Sequence, residues 1–364
     1  MRRLIEVGEG DDLLPSILAS PLAALSLAYG AIQQFRSTLY RRGTLKARQL
    51  PCRVISVGNL VSGGTGKTPL VERLASLLRD QGIRVAILSR GYKGKARQPV
   101  SVVSDGERLR LGPLEAGDEP YLLARNLPGV PVLVGVDRYR VGLYACEQFA
   151  AQVVLLDDGY QRLSLARDLN LLLLDATRPF GNGWVLPRGL LREPVSALSR
   201  AQAVLLTRCQ HPPHPSFSVQ VARRRLRVPV FQSCHVGDSL FELREGQRAP
   251  LDLLQGKRVV AFCGLANPGS FRDLIERLGG RIVHFLPFID HHRYHGRELR
   301  EIGELCRSLG TDLALTTEKD GVKLTANGDG TALPFPLWVL RIRMELTGEG
   351  EGFERLILRA AGAL

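Results

Sequence analysis

No Cys-x-x-Cys pair occurs in the 364 residues; Cys52, Cys146, Cys209, Cys234, Cys263 and Cys306 stand singly. That excludes a zinc ribbon or a paired-thiol redox motif, and it suits reduced thiols in a cytosolic protein. The chain has no internal repeat and no low-complexity tail. No Ala-x-Ala-type site closes its first apolar run, which follows acidic residues, so a cleaved signal peptide is not expected. Negative charge is the minority sign: 36 Asp and Glu against 49 Lys and Arg, mostly Arg, for a formal net charge of +13. Such an excess suggests a polyanionic partner, whether nucleic acid, an anionic membrane surface or a phosphorylated substrate. The length suggests two domains on a prior of about 100–200 residues each. With 45% hydrophobic residues there is enough apolar side chain for a core.

The stretch around which the rest is organised is Val54 to Thr68, Val-Ile-Ser-Val-Gly-Asn-Leu-Val-Ser-Gly-Gly-Thr-Gly-Lys-Thr. A β-branched run reads as a buried strand over 54–58. It breaks at Ser62, Gly63, Gly64, Thr65 and Gly66, and a helix over 69–81 follows, with Leu70, Leu74, Leu77 and Leu78 on one side and Pro69 at its start. Strand, glycine loop and helix form the context of a phosphate-binding loop. Glycines let backbone N–H groups curl around phosphate oxygens, and the helix N-terminus adds partial positive charge. Lys67 would reach the β- and γ-phosphates and the Thr68 hydroxyl would hold Mg²⁺. Val61 stands where the usual pattern has its first glycine, so the loop is a variant.

Upstream, Leu13 to Phe35 runs without a charge, long enough to span a bilayer, but Pro15 and Pro21 interrupt it and Ser and Gln dilute it. Leu14, Ile17, Leu18, Leu22, Leu25, Tyr29 and Ile32 fall roughly on one helical face. Arg36, Arg41, Arg42, Lys46 and Arg48 follow. That pairing suits a helix lying on an anionic membrane surface; a spanning helix and an ordinary packed helix are the alternatives.

Downstream, the pattern is α/β. Strand 85–89 ends in the basic turn Arg90-Gly-Tyr-Lys-Gly94, at the kind of strand end that carries ligands in open sheets. Gly117-Asp-Glu-Pro120 precedes a helix over 121–126, and strand 130–136 is followed by Asp137-Arg138. Strand 153–156 ends in Asp157-Asp158, two carboxylates that can place Mg²⁺ or its waters beside a phosphate loop. Strands follow at 171–175 and 204–207. Residues 210–218, rich in Pro and His, read as a linker, and the basic stretch Arg223–Arg227 as a bridge. A second α/β unit then has strands at 259–262, 282–286, 313–316 and 337–344 and helices at 270–278 and 296–309. Asp290-His291-His292 lies in a loop after a strand. The division expected is an N-terminal membrane-associating segment over 1–48, a P-loop-type core with a mostly parallel sheet over 49–220 and a smaller α/β domain over 221–364. One phosphate loop, two acidic strand ends and a His loop point to phosphoryl transfer, in which an Asp polarised by a His would deprotonate an acceptor hydroxyl.

Six segments together resemble one family. They are Val-Gly-Asn-Leu-x-x-Gly-Gly-Thr-Gly-Lys-Thr-Pro (57–69), Leu-Ser-Arg-Gly-Tyr (88–92), Gly-Asp-Glu-Pro (117–120), Asp-Asp-Gly-Tyr-Gln (157–161), Asp-His-His-x-Tyr (290–294) and Thr-Thr-Glu-Lys-Asp (316–320). In this order they look like the tetraacyldisaccharide 4′-kinases of lipid A synthesis in Gram-negative bacteria, and the match covers nearly the whole chain. The resemblance implies ATP and Mg²⁺ as cofactors. The γ-phosphate would pass to the 4′-hydroxyl of a tetraacylated glucosamine disaccharide 1-phosphate, giving lipid IVA. It also implies a peripheral or monotopic enzyme on the cytoplasmic face of the inner membrane, with no nucleic-acid partner. By motif, Ser62 to Thr68 hold the nucleotide, Lys67 and Thr68 match the phosphate-loop Lys and the Mg²⁺ ligand, and Asp118 matches the catalytic base with His291 as its partner. Glu119, Asp157 and Asp158 match acidic residues near Mg²⁺ and the phosphates, and Arg138 and Arg192 match site arginines. Arg162 stands where the family often has His.

Two rival classes lack their marks. Partition-type P-loop ATPases carry a Lys immediately before the paired glycines, where this chain has Ser62, and they lack the Asp-His-His loop. A GTP-binding regulator needs Asn/Thr-Lys-x-Asp, and Thr317-Glu-Lys-Asp320 has its Lys one place late.

Overall fold

In the computed structural model of the chain, the structure describes residues 21–96, 98–210, 226–326 and 335–364. The start of the uncharged run, most of the Pro- and His-rich linker and the basic stretch to residue 225 lie outside them. The described residues fall into two compact units, each assembled from separated stretches of sequence. The first comprises Met1–Lys67, Ala150–Cys234 and Leu346–Leu364; the second comprises Thr68–Phe149 and His235–Glu345.

In the first unit, β1 (Arg53–Asn59) lies between β5 (Val153–Asp157) and β6 (Leu169–Asp175). β7 (Ala203–Thr207) follows β6, and the first residues of β8 (Val230–Glu242) follow β7. Every pairing here is parallel. β5, β6 and β7 are buried along their whole lengths, which is why they read as unbroken apolar runs and not as alternating ones. Leu60, Tyr160, Leu172, Leu174, Leu206 and Val230 are among the residues that pack into one core cluster. Phe353, on the C-terminal helix α9 (Gly350–Ala361), meets Phe231 edge to face at 5.1 Å.

Helix α1 (Pro21–Arg41) belongs to the same unit and is attached by its small residues. Ala23, Ser26 and Gly30 are buried; Ser26 Oγ donates to the Val185 carbonyl, and the Tyr29 hydroxyl donates to the Arg192 carbonyl at 3.0 Å. The large apolar side chains point the other way: Leu25, Leu27, Ile32 and Phe35 are 58–65% exposed. Among the described residues no helix is long and apolar enough to cross a membrane.

The second unit holds the remainder of α2 (Lys67–Asp80), whose Leu70, Val71, Leu74, Ala75 and Leu78 are buried. β2 (Val85–Ser89) pairs in parallel with β4 (Val132–Val134), and β3 (Ser101–Ser104) runs antiparallel to β4. After the one-turn α3 (Pro113–Ala116) come α4 (Asp118–Asn126) and, beyond β4, α5 (Arg138–Phe149). Later in the chain β9 (Arg248–Ala249) forms a short antiparallel pair with β8. β10 (Arg258–Cys263), β11 (Arg281–Pro287), β12 (Leu313–Thr317) and β13 (Leu337–Thr347) make a parallel set in the order β11-β10-β12-β13. Helices α6 (Pro268–Arg277) and α7 (Gly296–Ser308) bury Phe271, Leu274 and Ile275, and Leu299 and Ile302, in its two cores. Helix α8 (Glu318–Ala326) packs against α4, where Arg125 pairs with Glu318 at 2.9 Å.

One buried carboxyl in this unit titrates out of its ordinary range. Glu72 on α2 accepts a hydrogen bond from Asn126 at 2.7 Å and faces Glu318, Arg341 and Asp238. Burial lifts its pKa from 4.5 to about 7, and the neighbouring carboxylates add to the rise. A raised acid binds its proton more tightly folded than unfolded. The stability it contributes is therefore complete below 4.5 and is lost as pH rises through about 7. Glu72→Gln, which keeps the acceptor for Asn126, is expected to match wild type in denaturant melts at pH 4.5. At pH 8 it is expected to be the more stable by up to about 3 kcal/mol. Equal melts at pH 8 would overturn this account of Glu72.

Candidate active site

The phosphate loop leaves β1 at Asn59, a fully buried polar residue. Asn59 Nδ2 donates to the Val61 carbonyl at 2.7 Å, which turns the chain out of the strand, and the Ser62 N–H donates to the Leu190 carbonyl at 2.7 Å. Gly63 and Gly66 have φ of 137° and 83°, backbone that a side chain would strain, so the glycines are needed by geometry and not merely by size. Arg208 Nη2 holds the Gly64 carbonyl at 2.7 Å while Nη1 pairs with Asp175 at the end of β6. Lys67 then opens α2, two residues before the helix start read from the sequence, with Thr68 second.

Lys67 is held among oxygen atoms. Its Nζ lies 3.2 Å from Asn59 Oδ1 and 3.6 Å from Asp158 Oδ1. Arg192 grips Asp158 from the other side through two parallel contacts, Nη1 to Oδ2 and Nη2 to Oδ1, both 2.8 Å, and its Nη2 also bonds Asn59 Oδ1. Partial burial pushes the Asp158 carboxyl up, but the Lys67 charge and the Arg192 hydrogen bonds and charge prevail and hold it well below the usual carboxylate range. Asp158 sits at φ 54°, a left-handed conformation that Asp tolerates better than most residues. The sequence-predicted Lys67, Asp158 and Arg192 thus meet in one ion cluster, with Asn59 at its centre. Asp157, buried at the last position of β5, precedes it directly.

The second unit carries the other predicted group. Gly117, at φ 90°, lies so close to the Tyr92 carbonyl that a Cβ there would come to 2.7 Å. The turn after β2 is thereby pressed onto the residue just before α4. Asp118 opens that helix, and its Oδ2 lies 3.3 Å from His291 Nδ1 across 173 residues of sequence. Burial raises the Asp118 carboxyl. The hydrogen bond from His291 and the charges of Lys323 and Lys319 outweigh it, so the group lies below its ordinary value and is ionised at neutral pH. Tyr92 meets the His291 ring edge-on at 5.6 Å. His292 turns elsewhere, stacking on Phe288 and bonding Glu298 at 3.0 Å. His291, like Asp158, is a non-glycine residue at positive φ, 59°, and its N–H reaches the Gly264 carbonyl at 3.3 Å. Glu119 is held at 3.0 Å by Lys319, whose pKa burial would lower but which Glu119 and Asp290 push up to about 12. Arg138 is buried at the start of α5 and donates to the Gly135 carbonyl just past β4. Beside it, a cavity of about 340 Å³ opens at the ends of β2 and β4, lined in part by Arg90, Gly91, Glu115, Asp137 and Arg140.

Comparison with known proteins now bears on these two clusters. The sequence profile described as Tetraacyldisaccharide-1-P 4′-kinase (LpxK) matches residues 18–361. The chain belongs to this family. It is 43% identical over 355 residues to the tetraacyldisaccharide 4′-kinase of Syntrophus aciditrophicus, covering 93% of each chain. It is 45% identical over 326 residues to that of Pelobacter propionicus, covering 88% of each. A crystal structure of LpxK from Aquifex aeolicus in complex with ATP is similar with a TM-score of 0.73 at 37% identity, covering 93% of this chain and 97% of that one.

Within the LpxK framework the structure adds residues that motif reading left without a role. Asn59, in the Val-Gly-Asn-Leu segment, joins Lys67 to Arg192. Gln161 Nε2 donates to the Asn59 carbonyl at 2.9 Å. Lys319, within Thr-Thr-Glu-Lys-Asp, touches Glu119, Asp290 and His291. Their one trace in the sequence is their place in the matching segments: Asn59 in 57–69, Gln161 in 157–161 and Lys319 in 316–320. Among the described residues no cluster of three or more His, Cys, Asp or Glu side chains could by itself hold a metal ion. Mg²⁺ does not require one, since it binds through one or two carboxylates together with substrate phosphates and waters. The oxygen donors of Thr68 and Asp157 are of the hard kind it takes, whereas Asp158 pairs with Lys67 and Arg192, and Glu119 pairs with Lys319.

Proposed function

We propose that this chain transfers the γ-phosphate of ATP to the 4′-hydroxyl of a tetraacylated glucosamine disaccharide 1-phosphate, forming lipid IVA, at the cytoplasmic face of the inner membrane. The observation that carries the chemistry is the Asp118–His291 pair: an ionised carboxylate with one oxygen held by an imidazole and the other available to an alcohol. Asp118 takes the hydroxyl proton as the oxygen attacks phosphorus, and His291 holds the carboxylate in the attacking orientation. Within the loop Ser62 to Thr68, whose Ser62 N–H is held by the Leu190 carbonyl, the backbone N–H groups from Gly63 onward carry the triphosphate, and Lys67 follows the charge onto the β–γ bridging region as that bond breaks. Arg192 and Asp158 keep the Lys67 ammonium aimed. Bound Mg²⁺, held through Thr68 and Asp157, would neutralise charge on the phosphate oxygens. Arg138 supports the end of β4.

A lipid at a membrane surface fits two further features. Exposed Leu25, Leu27, Ile32 and Phe35 on α1 are large apolar groups turned outward while small residues face the protein, the reverse of an ordinary packed helix. The cavity by β4 is lined by Arg90 and Arg140 together with Glu115 and Asp137, and its two arginines are the groups there that would suit a phosphorylated sugar. The deciding experiment incubates the protein with γ-labelled ATP, Mg²⁺ and detergent-dispersed tetraacyl disaccharide 1-phosphate. Label in a bis-phosphorylated lipid is expected. ATP hydrolysis without labelled lipid would overturn the reading in favour of a membrane-associated ATPase.

A further inference from the structure

We infer that Lys319 is a positioning residue for the base: its ammonium fixes the imidazole of His291 in the tautomer that donates from Nδ1 to Asp118. This rests on the Asp118–His291 reading above. Lys319 is the second residue of α8, and its side chain is only 17% exposed. Its Nζ lies 3.0 Å from Glu119 Oε1, 3.4 Å from Asp290 Oδ1 and 3.2 Å from His291 Nε2. An ammonium has three hydrogens and no lone pair, so three acceptors match three donors and His291 Nε2 must supply a lone pair. The ring proton is then on Nδ1, the nitrogen 3.3 Å from Asp118 Oδ2. The other tautomer would turn an Nε2–H against the ammonium and a bare Nδ1 against the carboxylate, an unfavourable contact at each end of the ring.

The backbone around His291 is anchored separately. Its N–H bonds the Gly264 carbonyl, and the Gly264 N–H bonds Asp320 at 2.9 Å. Asp320 is itself held by Thr317 at 2.6 Å and Lys323 at 2.7 Å. That network places the residue and leaves the proton position of the ring undetermined. Tyr92 meets the ring through its edge, without a hydrogen bond. Among the described residues, Lys319 is what distinguishes the two nitrogens from the side away from Asp118. With Nδ1–H donated to one carboxylate oxygen, the second oxygen of Asp118 stays free for the acceptor hydroxyl.

The test is the long-range ¹H–¹⁵N spectrum of protein labelled at histidine, with the His291 signals assigned by their loss in His291→Gln. Wild type is expected to show a protonated Nδ1 and a bare Nε2. Lys319→Met is expected to move the proton to Nε2 or to give a mixture, and to lower kcat about 10–100-fold, as loss of partners that orient working histidines does in metal sites, with KM for ATP little changed. Lys319→Arg, which keeps a donor, is expected to restore the wild-type tautomer. A wild-type spectrum with Nε2 protonated would overturn the inference whether or not any variant folds, and so would Lys319→Met that keeps Nδ1–H. The spectrum needs neither nucleotide nor lipid, so a failed kinase assay with the expected tautomer would count against the reaction and not against the role of Lys319.

Discussion

Asp118→Asn is expected to lower kcat by about 10²–10⁴-fold while KM for ATP stays within a few-fold, the loss typical of removing a general base. The amide has the shape of the carboxylate and still accepts from His291 Nδ1, so the His291 loop should keep its place. What it lacks is a basic oxygen for the hydroxyl proton. The wild-type carboxyl is lowered by His291, Lys323 and Lys319 against the upward push of burial. It is therefore ionised across the neutral range, and protonation of Asp118 should not limit the rate near pH 7. The same depression sets the sign of its effect on folding. Stability from the ionised group is present above the ordinary value of 3.8 and is lost as pH falls through the lower folded value. Asp118→Asn should thus be inert in denaturant melts at acid pH and cost some stability at neutral pH. Steady-state kinetics of phosphate transfer checks the first claim, and a wild-type kcat would remove Asp118 from the role of base.

How much of this was legible in the chain depends on how local each feature is. The phosphate loop and its flanks lie in one continuous stretch over 54–81, from which strand, glycines and helix all follow; the structure differs by starting the helix at Lys67 and not at Pro69. Strands buried on both faces, such as β5 and β6, declare themselves by unbroken apolar runs. Helix α5 and strand β8 do not. Arg138, Gly142 and Cys146 interrupt the apolar spacing of the first, and β8 passes through Gly237, Asp238 and Ser239, residues that read as a turn. Helix α9 was hidden because Phe353 and Ile357 are its only buried residues in a charged segment.

The site shows the same division. Asp118 and His291 each carry a recognisable local signature, but nothing in their spacing shows that residues 173 positions apart meet. The units explain why: each is built from stretches that the other interrupts, so neighbours in the chain are not the neighbours that matter. Asn59 and Lys319 are the clearest losses. Each is one polar residue in a motif, and its function lies in which atoms its head group touches. Polar spacing carries no such information, whereas apolar periodicity does report which face is buried.

Lys67→Met is expected to abolish most phosphate transfer, lowering kcat by about 10²–10³-fold, the range for deleting one preorganised donor aimed at developing charge. Its effect on folding should be small. The Lys67–Asp158 separation is 3.6 Å and the Asp158 side chain is 39% exposed, a contact of the kind worth about 0–1 kcal/mol. Asp158 also keeps its two 2.8 Å contacts with Arg192, so the variant leaves no buried carboxylate unpaired. Asp158→Asn gives the contrasting case. It removes the shared negative charge and puts an amide N–H₂ where one acceptor oxygen stood, leaving Lys67 and Arg192 as two cations without a counter-ion beside Asn59 Oδ1. If Asp158 serves to aim Lys67, its loss should lower kcat in the same direction but add little to Lys67→Met in the double variant, because the second mutation removes a partner already without function. If instead the two losses multiply, Asp158 acts on the reaction independently of Lys67, and its pairing with Arg192 would be the contact to examine next.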